Sequence, residues 1–393
     1  MHGLEANPAT SDVPADRRGN IRSDTPVRDR VDPLRILIAA TPVGPLGSGV
    51  GGGVELTLHS LVYGLGALGH HVEVIAPAGS LHIGVKVHQI EGALQASSQL
   101  SDRSAPIELP AHSVLVAMWD HVAAMQNDVD VVVNLAYDWL PLYLTRFLDV
   151  PVAHLISMGS VTDAMDAAVA DVARRLPGHL AAHTLSQAAT FEDPSWFRLL
   201  ASGIVTDRYE VHLSAATPAY LGAVGRISPE KGLEDVAELS ARSGWPVRVW
   251  GVMQDAGYWE RVLDRQPAAQ LEYRGFLATD DLQGEIGGCT AVLMTPKWVE
   301  AFGNVAIEAM ATGVPVIAYD RGGPAEIVVD GETGFVVPAD DVGALVDAVN
   351  RIDSIERISC RQRVEEHFSA EALADRTEGW LRDVIARVRV DHR

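Results

Sequence analysis

Lysine is nearly missing from this chain. Lys86, Lys231 and Lys297 stand against 28 arginines in 393 residues. Cysteine is scarcer still, with only Cys289 and Cys360, too few for a disulfide framework and fitting a reducing compartment. No apolar run approaches the length of a membrane span. Formal net charge is −21, which disfavours nonspecific attachment to nucleic acid or to an anionic membrane. No His, Asp or Cys grouping makes a compelling metal site. Hydrophobic residues make up 47% and charged residues 21%, a globular balance with ample surface to bury. These features lead us to expect a soluble, cytoplasmic protein. Residues 1–33 hold five arginines and six acids without periodicity, and read as a disordered extension lacking the apolar centre of a signal peptide.

From Leu34 a strand–helix–strand rhythm begins. Leu34–Ala40 is a short branched apolar run, a glycine-rich loop follows, and Val54–Leu68 has apolar residues at helical spacing. His71–Ala76 reads as the next strand, with others at Val85–Ile90, Val129–Leu135 and Val152–Ile156. A second copy of the rhythm starts near Tyr220. It has strands at Ala219–Val224, Val247–Gly251, Leu271–Tyr273, Ala291–Met294 and Val314–Ala318, and helices at Leu233–Ser243, Val305–Thr312 and Val342–Arg351. Two α/β halves with parallel sheets follow from this pattern, joined somewhere in 187–218. Residues 369–390 form a last amphipathic helix.

Three stretches carry chemistry. Gly47, Gly49 and Gly52 satisfy G-x-G-x-x-G within Gly44–Gly53, which invites a dinucleotide. The glycines come late after their strand, however, and the second strand ends in Ala76-Pro77 instead of an acid for the ribose. Bare amides before a helix still suit an anion. Gly225-Arg226-Ile-Ser-Pro-Glu230-Lys231-Gly232 folds two cations across a tight turn at a helix start. A lysine here, in a chain whose default cation is arginine, points to a compact charge on a phosphate-type anion. Glu300-Ala-Phe-Gly-Asn-Val-Ala-Ile-Glu308 puts one carboxylate before a helix and another on its mostly buried face, where sugar hydroxyls could donate to it. Gly322–Gly334 alone is a weak sign of a binding loop.

Together these residues resemble the retaining glycosyltransferases of family 4. The matching pieces are Gly225-Arg226-x3-Glu230-Lys231-Gly232, Arg274-Gly275-Phe276, the Glu300-x7-Glu308 pair and Gly322-Gly-Pro-Ala-Glu-Ile-Val. The resemblance implies the GT-B fold: two Rossmann-like α/β domains facing across a cleft, the C-terminal helix returning to the first domain. Boundaries would fall at 34–200, 201–370 and 371–393. It implies that Arg226 and Lys231 hold the donor diphosphate, Glu308 the ribose and Glu300 the transferred sugar. Phe302, Gly303, Asn304 and Val305 would touch sugar and phosphate. Arg274, Gly275, Phe276 and Leu277 would border the base, and Gly51, Gly52 and Gly53 would close over the phosphates. It implies no cofactor and no metal, with a nucleotide sugar such as UDP-glucose as co-substrate. The histidine that family members carry six residues past Pro151 is replaced by Ser157, leaving Ser157 and His154 as alternatives near the sugar. Thr41–Leu58 looks like the glucosyltransferases that attach glucose to tetrahydrobiopterin. A pterin-type acceptor would then meet Glu55, Trp119, Asp120, Tyr137, Asp138, Trp139, Ser157 and Met158. Lys297 could add to the cationic patch.

Competing expectations are a lipid or polysaccharide hexosyltransferase, a sucrose-type or phosphorylase-like enzyme, an NAD-dependent oxidoreductase using the glycine loop, and a silent sugar-nucleotide binder. Neither nucleic acid nor stable membrane association is expected. The sequence leaves the oligomeric state open.

Overall fold

The computed structural model describes residues 32–391. The expected N-terminal extension lies outside them except for Asp32 and Pro33. Pro33 onward forms one compact unit.

The first sheet holds seven strands: β1 (Arg35–Ala39), β2 (His71–Pro77), β3 (Lys86–Ile90), β4 (Val131–Asn134), β5 (Val152–Leu155), β6 (Leu180–Ala182) and β7 (Phe197–Leu199). All pairings are parallel, in the order β3-β2-β1-β4-β5-β6-β7. Its helices are α1 (Gly53–Ala67), α2 (Val114–Met125), α3 (Trp139–Leu144), α4 (Asp163–Arg175) and α5 (Leu185–Ala188). The continuous apolar run of β1 is explained by cover on both faces. Alternate side chains go to opposite sides. Ile36 and Ile38 join Leu58, Leu61 and Leu65 of α1, whereas Leu37 and Ala39 join Leu115, Met118 and Trp119 of α2.

The second sheet holds β8 (Leu221–Val224), β9 (Val247–Trp250), β10 (Leu271–Tyr273), β11 (Val292–Met294), β12 (Val316–Tyr319) and β13 (Gly334–Val337), ordered β10-β9-β8-β11-β12-β13. Its helices are α6 (Leu233–Ser243), α7 (Ala256–Arg265), α8 (Thr279–Gly287), α9 (Asn304–Ala311), α10 (Gly323–Ile327), α11 (Val342–Asn350) and α12 (Arg357–His367). The strands expected from the sequence are present with ends shifted by a residue or two. β6, β7 and β13 are additional, and β7 lies inside the stretch expected to be only a join.

The last helix, α13 (Ala370–Asp391), crosses back. Leu373, Ala374, Trp380, Leu381 and Val384 complete the core between β1 and α1. Gly64 of α1 makes this docking possible: a Cβ there would lie 2.3 Å from Ala370 O and 2.7 Å from Ala374 Cβ. The two crossovers run side by side, with Ile204 N donating to Phe368 O and Ala370 N to Ile204 O. The chain thus has the GT-B architecture: two Rossmann-like domains and a returning C-terminal helix. Among the described residues no helix is long and apolar enough to cross a membrane.

Candidate active site

Loops that follow the carboxyl ends of strands in both sheets enclose one cleft of about 1120 Å³. That is where ligands enter open parallel sheets. From the first domain come the glycine loop after β1, Tyr137-Asp138 after β4, Ser157–Val161 after β5 and His183 after β6. From the second come Gly225-Arg226 after β8, Gly251 after β9, Phe276-Leu277 after β10 and Glu300–Val305 after β11.

Lys231 ends a tight turn that Gly232 closes in the left-handed region, at φ 66°. A Cβ on Gly232 would lie 2.0 Å from Thr295 O, so only glycine fits. Thr295 Oγ1 donates to Gly232 O at 3.0 Å and pins the turn to the loop after β11. Lys231 Nζ then lies 2.5 Å from Glu300 Oε2, the oxygen that also accepts from Trp298 Nε1 at 3.1 Å. The two groups expected to serve diphosphate and sugar separately are an ion pair here. Arg226 is likewise fixed. Its Nη2 lies 2.9 Å from Glu230 Oε1 and its Nη1 3.2 Å from Gln254 Oε1, while Ser228 Oγ donates to the same Glu230 oxygen at 2.7 Å.

Glu308 sits on the buried face of α9, and its Oε1 accepts from Tyr209 OH at 3.3 Å. Burial pushes its carboxyl up to about 7. Gly303, at φ 94°, starts α9, and Phe302 and Val305 flank it on the cleft wall. Asn304 Nδ2 donates across the cleft to Gly53 O at 3.0 Å. The N-terminal ends of α1 and α9 therefore meet head to head, and their first amides have no helical partner of their own. Other contacts hold the domains together. Thr184 Oγ1 donates to Ala301 O at 2.7 Å, and Glu326 accepts from Leu185 N at 3.0 Å and Ser186 N at 2.7 Å.

Several expected residues lie elsewhere. His154 is fully buried in β5, between Asn134 Nδ2 at 3.1 Å and Thr145 Oγ1 at 2.8 Å, and burial drives its imidazole down to about 3. It does not line the cleft, whereas Ser157 does. Trp119 is in the core with β1, and Asp120 beside it is exposed to solvent. Trp139 stacks on Tyr143 with ring centroids 4.5 Å apart, outside the cavity. Arg274 is taken by Glu272 at 2.8 Å and Glu285 at 3.8 Å. Gly275 O accepts from Gly251 N at 2.9 Å, and neither Arg274 nor Gly275 lines the cleft. Lys297 does not join the cationic patch, because Asp235 at 2.6 Å and Asp340 at 2.9 Å hold it.

The cleft wall does include Gly51, Gly52, Gly53, Glu55, Tyr137, Asp138 and Met158. Tyr137 OH donates to Gly159 O at 3.0 Å. Asp138 accepts from Leu140 N at 3.3 Å as the cap of α3, and its burial raises its pKa. Glu55 turns toward its own loop and accepts from Gly47 N and Gly51 N. Sequence reasoning missed His183, whose Nδ1 bonds Ala201 O at 2.7 Å and whose ring lies 5.8 Å from that of Phe302. It also missed Arg208, paired with Asp280 at 2.5 Å on the cleft wall. Among the described residues no group of three or more His, Cys, Asp or Glu is placed to hold a metal.

Residues 207–371 match the family described as Glycosyl transferases group 1. The 2-deoxystreptamine N-acetyl-D-glucosaminyltransferase of Streptomyces fradiae is 35% identical over 136 residues, 33% of this chain and 32% of that protein. The D-inositol 3-phosphate glycosyltransferase of Rhodococcus erythropolis is 31% identical over 210 residues, 47% of each chain. The chain thus spans about a third to a half of these curated relatives. The crystal structure of Anabaena Alr3699/HepE in complex with UDP superposes with a TM-score of 0.68, at 15% identity over 89% of this chain and 100% of that one.

Proposed function

We propose that the chain is a hexosyltransferase that moves a sugar from a nucleoside diphosphate to a hydroxyl of a small soluble acceptor, with retention and without a metal. The observation that carries this reading is the convergence of Lys231–Glu300, Arg226, Glu308 and the N-termini of α1 and α9 on one cleft. A diphosphate placed against both helix ends would meet Arg226 and Lys231, and a ribose could donate to Glu308. The anomeric carbon–oxygen bond to the diphosphate breaks as the acceptor oxygen bonds the same face. The acceptor proton passes to the departing diphosphate oxygen, so no protein nucleophile is needed. Fixed cations and helix ends hold the charge that develops on the leaving group.

UDP-glucose is the first donor to try, because the fold neighbour was solved with UDP. A pterin such as tetrahydrobiopterin is one acceptor arm. Of the expected aromatic wall, Tyr137 remains on the cleft while Trp119 and Trp139 do not, which weakens the pterin arm. The names of the two relatives add aminocyclitol and inositol phosphate acceptors to the screen. The test is a donor-by-acceptor screen read by mass spectrometry, with anomeric configuration assigned by NMR. An α-configured hexoside from an α-linked donor is expected. A β-configured product would refute retention, and no transfer with any UDP, GDP or ADP sugar would refute the assignment.

A further inference from the structure

We propose that Glu55 is a positioning residue for the donor: it clasps the glycine loop into the shape that closes on the nucleotide sugar, and it does not contact the acceptor. The proposal rests on the reading of the cleft as a donor site. Three loop amides converge on this one carboxylate. Gly51 N donates to Oε1 at 2.8 Å, Gly47 N to Oε2 at 2.7 Å, and Gly49 N to that same oxygen at 3.4 Å. Glu55 lies in the first turn of α1, so its side chain reaches back to the loop that precedes its own helix. Bonds from amides to an ionised acceptor belong to the stronger class. A glycine-rich segment otherwise samples many backbone states, and a carboxylate that gathers three of its amides selects one.

The clasp changes what the loop can offer a phosphate. The amides of Gly47, Gly49 and Gly51 are already engaged, and Gly52 N donates to Gly49 O at 3.2 Å. What the loop presents to the cleft is the start of α1 at Gly53, the point that Asn304 holds from the other domain. The loop also approaches the second domain at its tip, where a Cβ on Gly49 would lie 3.5 Å from Phe276 Cζ. Gly51 is the other half of the device. A Cβ there would lie 2.8 Å from Glu55 Cγ, 3.0 Å from its Oε1 and 3.0 Å from Thr41 Cγ2, so the bare glycine leaves room for the carboxylate to reach the amides. Gly51 is not among the residues with positive φ, so alanine can adopt its backbone. Gly51→Ala therefore displaces Glu55 without changing its chemistry.

The test pairs calorimetric titration of UDP with kinetics in which donor and acceptor are varied separately. It uses the full chain and Glu55→Gln, Glu55→Ala and Gly51→Ala. We expect the UDP Kd and the donor KM to rise about tenfold or more in Glu55→Ala and Gly51→Ala. Glu55→Gln, which keeps one acceptor oxygen, should fall between these and the wild type. The acceptor KM should stay within about twofold, and the Glu55→Ala/Gly51→Ala pair should be no worse than either alone, because both remove one clasp. Normal wild-type binding with an unchanged UDP Kd in Glu55→Ala overturns this proposal alone. So does a rise confined to the acceptor KM, which places the carboxylate on the acceptor. Failure of the wild type to bind UDP, GDP or ADP overturns the donor-site reading and the proposal with it.

Discussion

Replacing Glu308 by Gln should make the protein's stability less dependent on pH, with a sign that the structure fixes. Glu308 is buried on α9 with one hydrogen bond, from Tyr209 OH, and its carboxyl is held up to about 7 from an ordinary 4.5. Below pH 4.5 the folded and unfolded chains both carry this proton, and the group contributes nothing to the pH dependence. Between about 4.5 and about 7 the unfolded chain has released the proton and the folded chain keeps it. The unfolded state then binds fewer protons, so wild-type stability falls as pH rises through that window. The slope is about 1.4 kcal/mol per pH unit, which integrates to about 3 kcal/mol by neutral pH. Gln has no proton to release. The stability of Glu308→Gln relative to wild type should therefore rise by about 2–3 kcal/mol between pH 5 and pH 8. Urea unfolding of both proteins at the two pH values reads this difference directly. Other groups titrate alike in both and cancel. A difference that stays constant with pH would refute the reasoning, because it would mean that water already reaches the carboxylate.

The same substitution separates donor binding from stability. Ribose hydroxyls that donate to an ionised Glu308 would pull its proton off, so UDP should bind wild type more tightly as pH rises toward 7, beyond the trend seen in Glu308→Gln.

Two further substitutions test other parts of the structure. Lys231→Ala and Arg226→Ala should each lower turnover by about two to three orders of magnitude, as removal of a transition-state charge donor does. Lys231→Arg should not restore it, because a longer, planar fork does not place one compact charge where the ammonium meets Glu300; near-normal turnover in both alanine variants would remove them from the mechanism. Gly64→Ala should destabilise the protein by about 1–3 kcal/mol by overpacking against α13, against the gain of up to about 1 kcal/mol that helix propensity alone predicts. A higher Tm for Gly64→Ala would show that α13 is not held at Gly64.

Much of the fold could be read from the order of residues, because a strand covered on both faces is a run of branched apolar residues with little else in it. Leu34–Ala40, with Arg35 as its one polar residue, and Val131–Val133 are such runs. β6 and β7 are three residues each, too short to show any period, and without β6 nothing placed His183 at the carboxyl end of a strand. The errors on the acceptor side have a different cause. Whether a tryptophan lines a cleft or fills a core depends on helix phase. Leu115, Met118, Trp119 and Val122 recur at i, i+3, i+4 and i+7, a stripe that marks Trp119 as inward-facing. Only that phase separates core from cleft for Trp119, because an indole suits either surface. His154 illustrates the limit of motif spacing. It lies three residues before Ser157, deep enough in β5 to be sealed by Asn134 and Thr145.

The scarcity of lysine takes on a different meaning in the folded chain. All three lysines are matched to acids: Lys86 to Glu73, Lys297 to Asp235 and Asp340, and Lys231 to Glu300. Arg226 faces Glu230 in the same way. The expected cationic patch is thus a charge-balanced set, in which each carboxylate holds its cation in a fixed place. Strong long-range attraction for an anion cannot come from such pairs, since their fields largely cancel beyond a Debye length. The positive ends in the cleft are backbone: the first turn of α9, which carries no acid, and that of α1, which Glu55 partly offsets, brought together by Asn304 and Gly53. A donor diphosphate would first be drawn to those helix ends. It would then compete at close range with Glu300 for Lys231, and the displaced carboxylate would be free to meet the sugar. In a chain of net charge −21, the positive potential of the cleft is thus local, held in fixed ion pairs and helix ends.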